Sequence, residues 1–222
     1  MRDPHPPAQT RSGSTSLIGR GVSITKYHPL LWIIPLFMAV RILFCYFIHP
    51  DFFFAYSEEE IYRGTIAKDM FEGLGMPITG YRPDNYNGGP YIVAYLISLL
   101  FQGFGIHVWA IKIVPMILSC IALIFWHLTL TRFLNIHFAV IFSLFYIFAP
   151  PAFLQHTLAA MGSHGDMLFL SAISVFLFMH ILENSRWNKV QTILLGLIAG
   201  FGLLFSYNYF ITLRTMLAFV FL

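Results

Sequence analysis

Three consecutive carboxylates, Glu58, Glu59 and Glu60, open the stretch SEEEIYRGTIAKDMFEG in a chain that is only 10% charged. Carboxylates grouped in this way suit two kinds of chemistry. One can act as a general base on a hydroxyl or amine, and two can hold a divalent cation through oxygen ligands. The same residues also suit a helix start. Ser57 and Glu60 have capping-box spacing, and acidic side chains in a first turn complement the helix dipole. Glu59 and Arg63 have the i,i+4 spacing of an ion pair. Ile66 and Met70 continue an apolar stripe with Tyr62 above them, and Gly73 and Gly75 supply a stop. Spacing alone leaves both readings open.

The elements that must position these carboxylates are apolar. The 222 residues are 58% hydrophobic, with 24 phenylalanines and a mean hydropathy of +0.72. This composition departs from that of water-soluble globular domains and predicts an all-α, multi-pass membrane protein. A net charge of +3 carries no nucleic-acid signal. Cys45 and Cys120 both lie inside apolar runs and read as buried free thiols. Residues 1–28 are rich in Pro, Ser, Thr and Gly and hold Arg2, Arg11, Arg20 and Lys26, the pattern of a disordered basic tail.

A membrane-spanning helix needs about 20 mostly apolar residues. Pro29–His49, Val108–Leu130, Ile136–Phe153, Asp166–Leu182, Val190–Ser206 and Tyr209–Leu222 give about six such helices. A seventh run, Pro90–Phe104, reaches only about 23 Å and is predicted to lie in the interface. The basic tail places the N-terminus in the cytoplasm. Arg132 and the loop ENSRWNK then also fall inside, and the segment His49–His107, with its interfacial helices, falls outside. That segment carries Asp51, Glu58, Glu59, Glu60, Asp69, Glu72 and Asp84, seven of the ten acidic residues. It is too long for a simple connector and reads as a functional loop. A bacterial protein of this kind would sit in the plasma (inner) membrane.

The order of features across 29–222 resembles the N-terminal part of a GT-C glycosyltransferase. That group includes protein mannosyltransferases, aminoarabinose transferases and oligosaccharyltransferases. Members open the first outer loop with an Asp-Glu pair, then an aromatic, then Ala-(Arg/Lys)-(Glu/Asp)-Met. Here Glu59-Glu60-Ile61-Tyr62 precedes Ala67-Lys68-Asp69-Met70. The resemblance puts Glu59 at the catalytic acidic position, with Glu in place of the usual Asp. YNGGPYIVAYLISLLFQGFG resembles the glycine-containing interfacial helix, although apolar Tyr91, Ile92 and Val93 stand where several relatives carry a second acid. Lys112, before Pro115, matches a basic residue at the start of the next span. FAPPAFLQHTLAAMGSHGDMLFL is similar to the Pro-rich span end and the Gly-x-x-(Gly/Ala)-(Asp/Glu) element, with Asp166 at the acidic position.

The resemblance implies transfer of a sugar from a polyprenyl phosphate to a glycan, lipid or protein acceptor on the outer face, with inversion. Glu59 would be the base, and Glu60 and Asp166 would complete the acidic set. Glu59 and Asp166 are also the candidate ligands for a divalent Mg or Mn ion. Arg41, an intramembrane charge about 12 Å from the outer end of its span, Lys112 and Arg214 are candidates to meet the phosphate. Tyr62 and Tyr86 are the sugar-facing aromatics. His156 and His164 flank the second outer loop but lack the spacing of a zinc site. The chain ends inside an apolar run at FVFL, shorter than members of the family, and is expected to be truncated at its C-terminus. The alternative is a non-catalytic membrane subunit or transporter fragment whose outer-loop acids only cap a helix.

Overall fold

The computed structural model describes residues 29–48, 58–75, 80, 88–183 and 188–221. The basic tail, Ser57 with its capping box, Asp51, Asp84, Tyr86 and Arg186 lie outside the described residues. Among the described residues all regular structure is helical.

The helices are α1 (Leu30–Leu43), continued by a wider turn over Phe44–Ile48, α2 (Glu58–Phe71), α3 (Gly89–Phe104), α4 (Val108–Phe133), α5 (Ile136–Ile147), α6 (Pro151–His156), α7 (Leu168–Glu183), α8 (Lys189–Phe205) and α9 (Phe210–Phe221). Short 3-10 turns, Gly165–Met167 and Tyr207–Tyr209, lead into α7 and α9. Three helical stretches are long and apolar enough to cross a membrane: Leu30–Phe47, Val108–Phe133 and Gly165–Glu183. α3, α5 and α8 are apolar but shorter. Many large apolar side chains point outward, among them Phe145, Leu197, Leu204, Ile211 and Phe221. That surface suits lipid and not water, and the chain is a helical membrane protein.

One predicted span is broken. Ile136–Phe153 stops as a helix at Ile147, and Pro150 and Pro151 start the separate α6. Proline has no N–H to continue the ladder and forces the residue before it out of the helical region. Pro35 and Pro115 stay inside α1 and α4.

α4 is the hub, packing on α7, α5, α3 and α1. In lipid the tails are as apolar as the helix surfaces, so close packing and interhelical hydrogen bonds supply the specificity. Ser119 Oγ and Tyr146 Oη lie 2.9 Å apart between α4 and α5. His127 Nδ1 and Ser143 Oγ repeat this at 2.9 Å. Ser171 Oγ meets Thr212 Oγ1 at 2.8 Å, and Ser174 bonds the Tyr209 hydroxyl. The bundle therefore has two distinguishable ends. At one, Arg132 of α4 pairs with Glu183 of α7 at 2.7 Å. At the other, α2 lies across α3 and the start of α4.

This second end is closed by a seam of glycines. Gly88 N–H donates to the Leu204 carbonyl at 2.7 Å. A Cβ on Gly89 would fall 1.8 Å from the Gly162 carbonyl oxygen and 2.6 Å from that of Phe205. A Cβ on Gly165 would fall 2.1 Å from the His156 carbonyl. Gly162 itself has φ +73°, a left-handed conformation that glycine adopts without steric cost. Three segments distant in sequence thus meet backbone to backbone. Gly89→Ala is expected to lower stability by about 3 kcal/mol, because backbone must move to admit the methyl. Gly103→Ala, on the same helix with open space around it, should gain about 0.5–1 kcal/mol from helix propensity. Unfolding of the two purified variants in detergent, compared with wild type, checks both signs.

Candidate functional site

α2 owes its boundaries to local chemistry. Its first turn is Glu58, Glu59 and Glu60, and negative charge there complements the helix dipole. It ends at Gly73, φ +71°, with Leu74 and Gly75 N–H both donating to the Asp69 carbonyl at 2.9 Å. Such a left-handed glycine with returning amides is a common helix stop. Lys68 and Glu72 face solvent 3.8 Å apart. The inward face carries Glu60, Arg63, Ile66 and Ala67.

The structure separates the glutamates. Glu58 and Glu59 are exposed, and Glu60 is buried. Lys112 Nζ lies 2.7 Å from both Glu60 carboxylate oxygens, and the Ala160 N–H donates to Oε1 at 3.3 Å. Lys112 is 1% exposed. His107 sets its position by capping α4, with Nδ1 accepting from Trp109 N–H at 3.2 Å, and Lys112 follows about one turn later. Lys112, the expected phosphate contact, has its ammonium held against Glu60 and lines the cavity beside that residue.

Asp166 is 1% exposed, at the turn into α7. Its Oδ2 accepts from Gly162 N–H at 2.6 Å, and Oδ1 has no hydrogen-bond partner among the described residues. Glu60 and Asp166, 106 positions apart, thus grip one short segment, Ala160–Gly162, from its two ends. They lie within electrostatic reach of each other. Glu59, on the neighbouring α2 position, makes no hydrogen bond or ion pair among the described residues.

The predicted Glu59–Arg63 ion pair does not form. Arg63 is 6% exposed, its guanidinium stands 5.2 Å from the half-exposed Tyr62 ring, and its Nε and Nη1 have no acceptor among the described residues. Burial of Arg63 was not anticipated. The signal for it was its place three residues after Glu60, which puts both on one helix face. Arg41 is fully buried in α1. Its Nη2 donates to the Tyr146 carbonyl at 3.3 Å, the Phe37 ring lies 4.9 Å away, and Nε and Nη1 have no partner among the described residues. Cys45, beside it, is in electrostatic reach of Arg41 and of the Glu60–Lys112 pair. Arg214 is exposed on α9 over the Phe210 ring, and no hydrogen bond or ion pair links it to Glu60, Lys112 or Asp166.

Beside Glu60 opens a cavity of about 390 Å³ between α2, α3 and α4. Its walls are Ile61, Phe101, Ile106, Val108 and Ile111, and Lys68 and His107 add polar atoms. A volume of 300–1,000 Å³ with apolar walls and a few polar groups is typical of small-molecule sites. Among the described residues no three His, Cys, Asp or Glu side chains converge to hold a metal ion. Glu59 is exposed and Asp166 buried, and the His156 and His164 rings meet edge to face, 6.0 Å between centroids.

The fold and the site together define a helical membrane protein with a buried charged cluster at one end of its bundle. No known protein family, curated protein or solved structure matches the chain.

Removing one partner of a buried ion pair leaves the other charge uncompensated. Lys112→Met is expected to destabilise the protein by about 3–5 kcal/mol, and Glu60→Gln in the same chain to recover most of that loss. Unfolding of both variants in detergent measures the difference. Equal loss in the single and double variants would show that the charge of Glu60 is not the cause.

Proposed function

We propose that this chain is a GT-C-like glycosyltransferase domain moving a sugar from a polyprenyl-phosphate donor to an acceptor at the outer membrane face. The observation that carries the reading is the meeting of Glu60, Lys112 and Asp166 from three distant segments at one end of an apolar bundle. The carboxylate pattern of α2 and its resemblance to the family supply the chemistry. In this reading α1, α4, α5, α7, α8 and α9 cross the bilayer, giving six passes. The N-terminus is cytoplasmic, and α2 and α3 lie at the outer face.

Each acid then has its own task. Glu60, with both oxygens on Lys112, locks α2 to α4 and to the Ala160–Gly162 segment. Glu59, one position away and exposed, is the free base. It takes the proton from the acceptor hydroxyl or amine as that atom attacks the anomeric carbon. Attack from the face opposite the phosphate inverts the configuration. Asp166 offers Oδ1 to a hydroxyl of the acceptor or sugar, and Tyr62 gives an aromatic face at the rim. A general base typically contributes 10²–10⁴-fold in rate.

Glu59→Gln is therefore expected to lower transfer from a polyprenyl-phosphate sugar by about 10²–10⁴-fold with its melting temperature unchanged, because Glu59 is exposed and has no partner among the described residues. Turnover of a radiolabelled donor by purified protein reads this directly. Full activity of the variant would remove Glu59 from the mechanism, and no turnover by wild type would favour a non-catalytic subunit in which Glu60 serves only to join helices. For topology, single cysteines replacing Glu58 and Lys189 in a chain with Cys45 and Cys120 changed to Ala should label from opposite sides. A membrane-impermeant maleimide added to intact cells is expected to reach position 58 alone. Labelling of both positions from outside would overturn the six-pass arrangement.

A further inference from the structure

The cavity between α2, α3 and α4 plays no part in the chemistry proposed above, and Glu59 does not line it. It is open because a side chain is missing. Gly64 lies in the middle of α2, where glycine costs about 0.5–1 kcal/mol against alanine, and it forms part of the cavity wall. A Cβ at this position would fall 2.8 Å from Ile111 Cδ1, another wall atom. Phe101, Val108 and Ile111 make the interior apolar. Ile61 and Ile106, 56% and 50% exposed, give it an apolar margin that suits lipid.

The polar groups of the lining are biased in charge. Lys112 and Glu60 neutralise each other, which leaves Lys68 as the net charge. Lys68 is half exposed, and its contact with Glu72, at 3.8 Å and also exposed, is of a kind worth little. It exchanges readily for another carboxylate. His107 Nδ1 accepts from Trp109 N–H, so the neutral ring carries its proton on Nε2 and donates there. An ammonium and an imidazole N–H match the two oxygens of one carboxylate, and a single net positive charge matches a monoanion.

We propose that this cavity binds a free fatty acid, with its chain against Gly64, Phe101 and Ile111 and its carboxylate at Lys68 and His107. A volume of about 390 Å³ is at the low end for small-molecule sites, and suits one acyl chain and not the pair of a diacyl lipid. The occupant touches α2, α3 and the start of α4 together, and the Glu60–Lys112 pair forms part of its wall. A bound acid adds apolar contact to the joint that this ion pair makes, so α2 is held more firmly when the cavity is full. The site stands apart from the glycosyltransferase reading. Within that reading the acid is a regulator of α2, neither donor nor acceptor.

The test uses purified full chain in phosphatidylcholine nanodiscs. A fatty acid with a diazirine on its chain is photolysed, and adducts are mapped by peptide mass spectrometry. Adducts are expected on Ile61–Lys68 and Ile106–Ile111, and dodecanoate should compete at about tenfold lower concentration than dodecanol, the increment of a charge-assisted hydrogen bond. Dodecanoate should also raise the melting temperature. Gly64→Leu, which fills the cavity, should lose both the adducts and the thermal response. Lys68→Met, at an exposed position, should keep the adducts and compete equally with dodecanoate and dodecanol. Adducts scattered over the lipid-facing helices, or undiminished in Gly64→Leu, would overturn the cavity as the site. Equal competition by dodecanol or dodecyltrimethylammonium in wild type would overturn the carboxylate. Equal labelling by a photoactivatable phosphatidylglycerol would overturn the free acid as occupant. None of these results bears on sugar transfer, which the Glu59→Gln assay reads separately.

Discussion

The Glu60–Lys112 pair is the constraint on which the charged end depends. Both groups are taken out of water at the end of an apolar bundle, where each alone would be costly and the two together, at 2.7 Å, are tolerated. Because a carboxylate has two oxygens, the pair also reaches a third segment through the Ala160 N–H. A single side chain thus joins α2, the start of α4 and the segment that leads to Asp166. Position and charge are set by the same bond.

This arrangement divides labour between neighbours in sequence. Successive residues on a helix point about 100° apart, so Glu59 and Glu60 cannot face the same partners. Glu60 is committed and Glu59 is left available. Arg63, almost a full turn on from Glu60, is inward, and its Nε and Nη1 have no acceptor among the described residues. A helix held firmly by one acid can present a second acid and a cation with little freedom, and low freedom is what acid–base chemistry at a fixed distance needs. In the reading proposed here, rigidity at Glu60 is the condition for reactivity at Glu59.

Much of the helical layout was legible in the sequence, because apolar runs, prolines and glycines act locally. The glycine stop of α2, the short length of α3 and the long apolar run of α4 follow from such signals. The site was legible only in part. The run of glutamates marked the place, but which glutamate turns inward depends on Lys112, 52 positions away. The Ala160 and Gly162 amides that hold Glu60 and Asp166 are backbone donors, and every residue except proline has one, so no pattern announces them. The i,i+4 spacing of Glu59 and Arg63 is a weak preference worth a few tenths of a kcal/mol, and Arg63 is buried while Glu59 is exposed. The break at Pro150–Pro151 was underweighted because the apolar run continues through it.

The glycine seam between α3, the Gly162 turn and the end of α8 has a mechanical consequence. Side chains that pack together can change rotamer and absorb small displacements. Main-chain atoms in direct contact have no such slack. A tilt of α8 would pass through the Leu204 and Phe205 carbonyls to the start of α3, and from Gly89 to Gly162 and the Asp166 turn. These three segments must move together or not at all, like links pinned at a common joint.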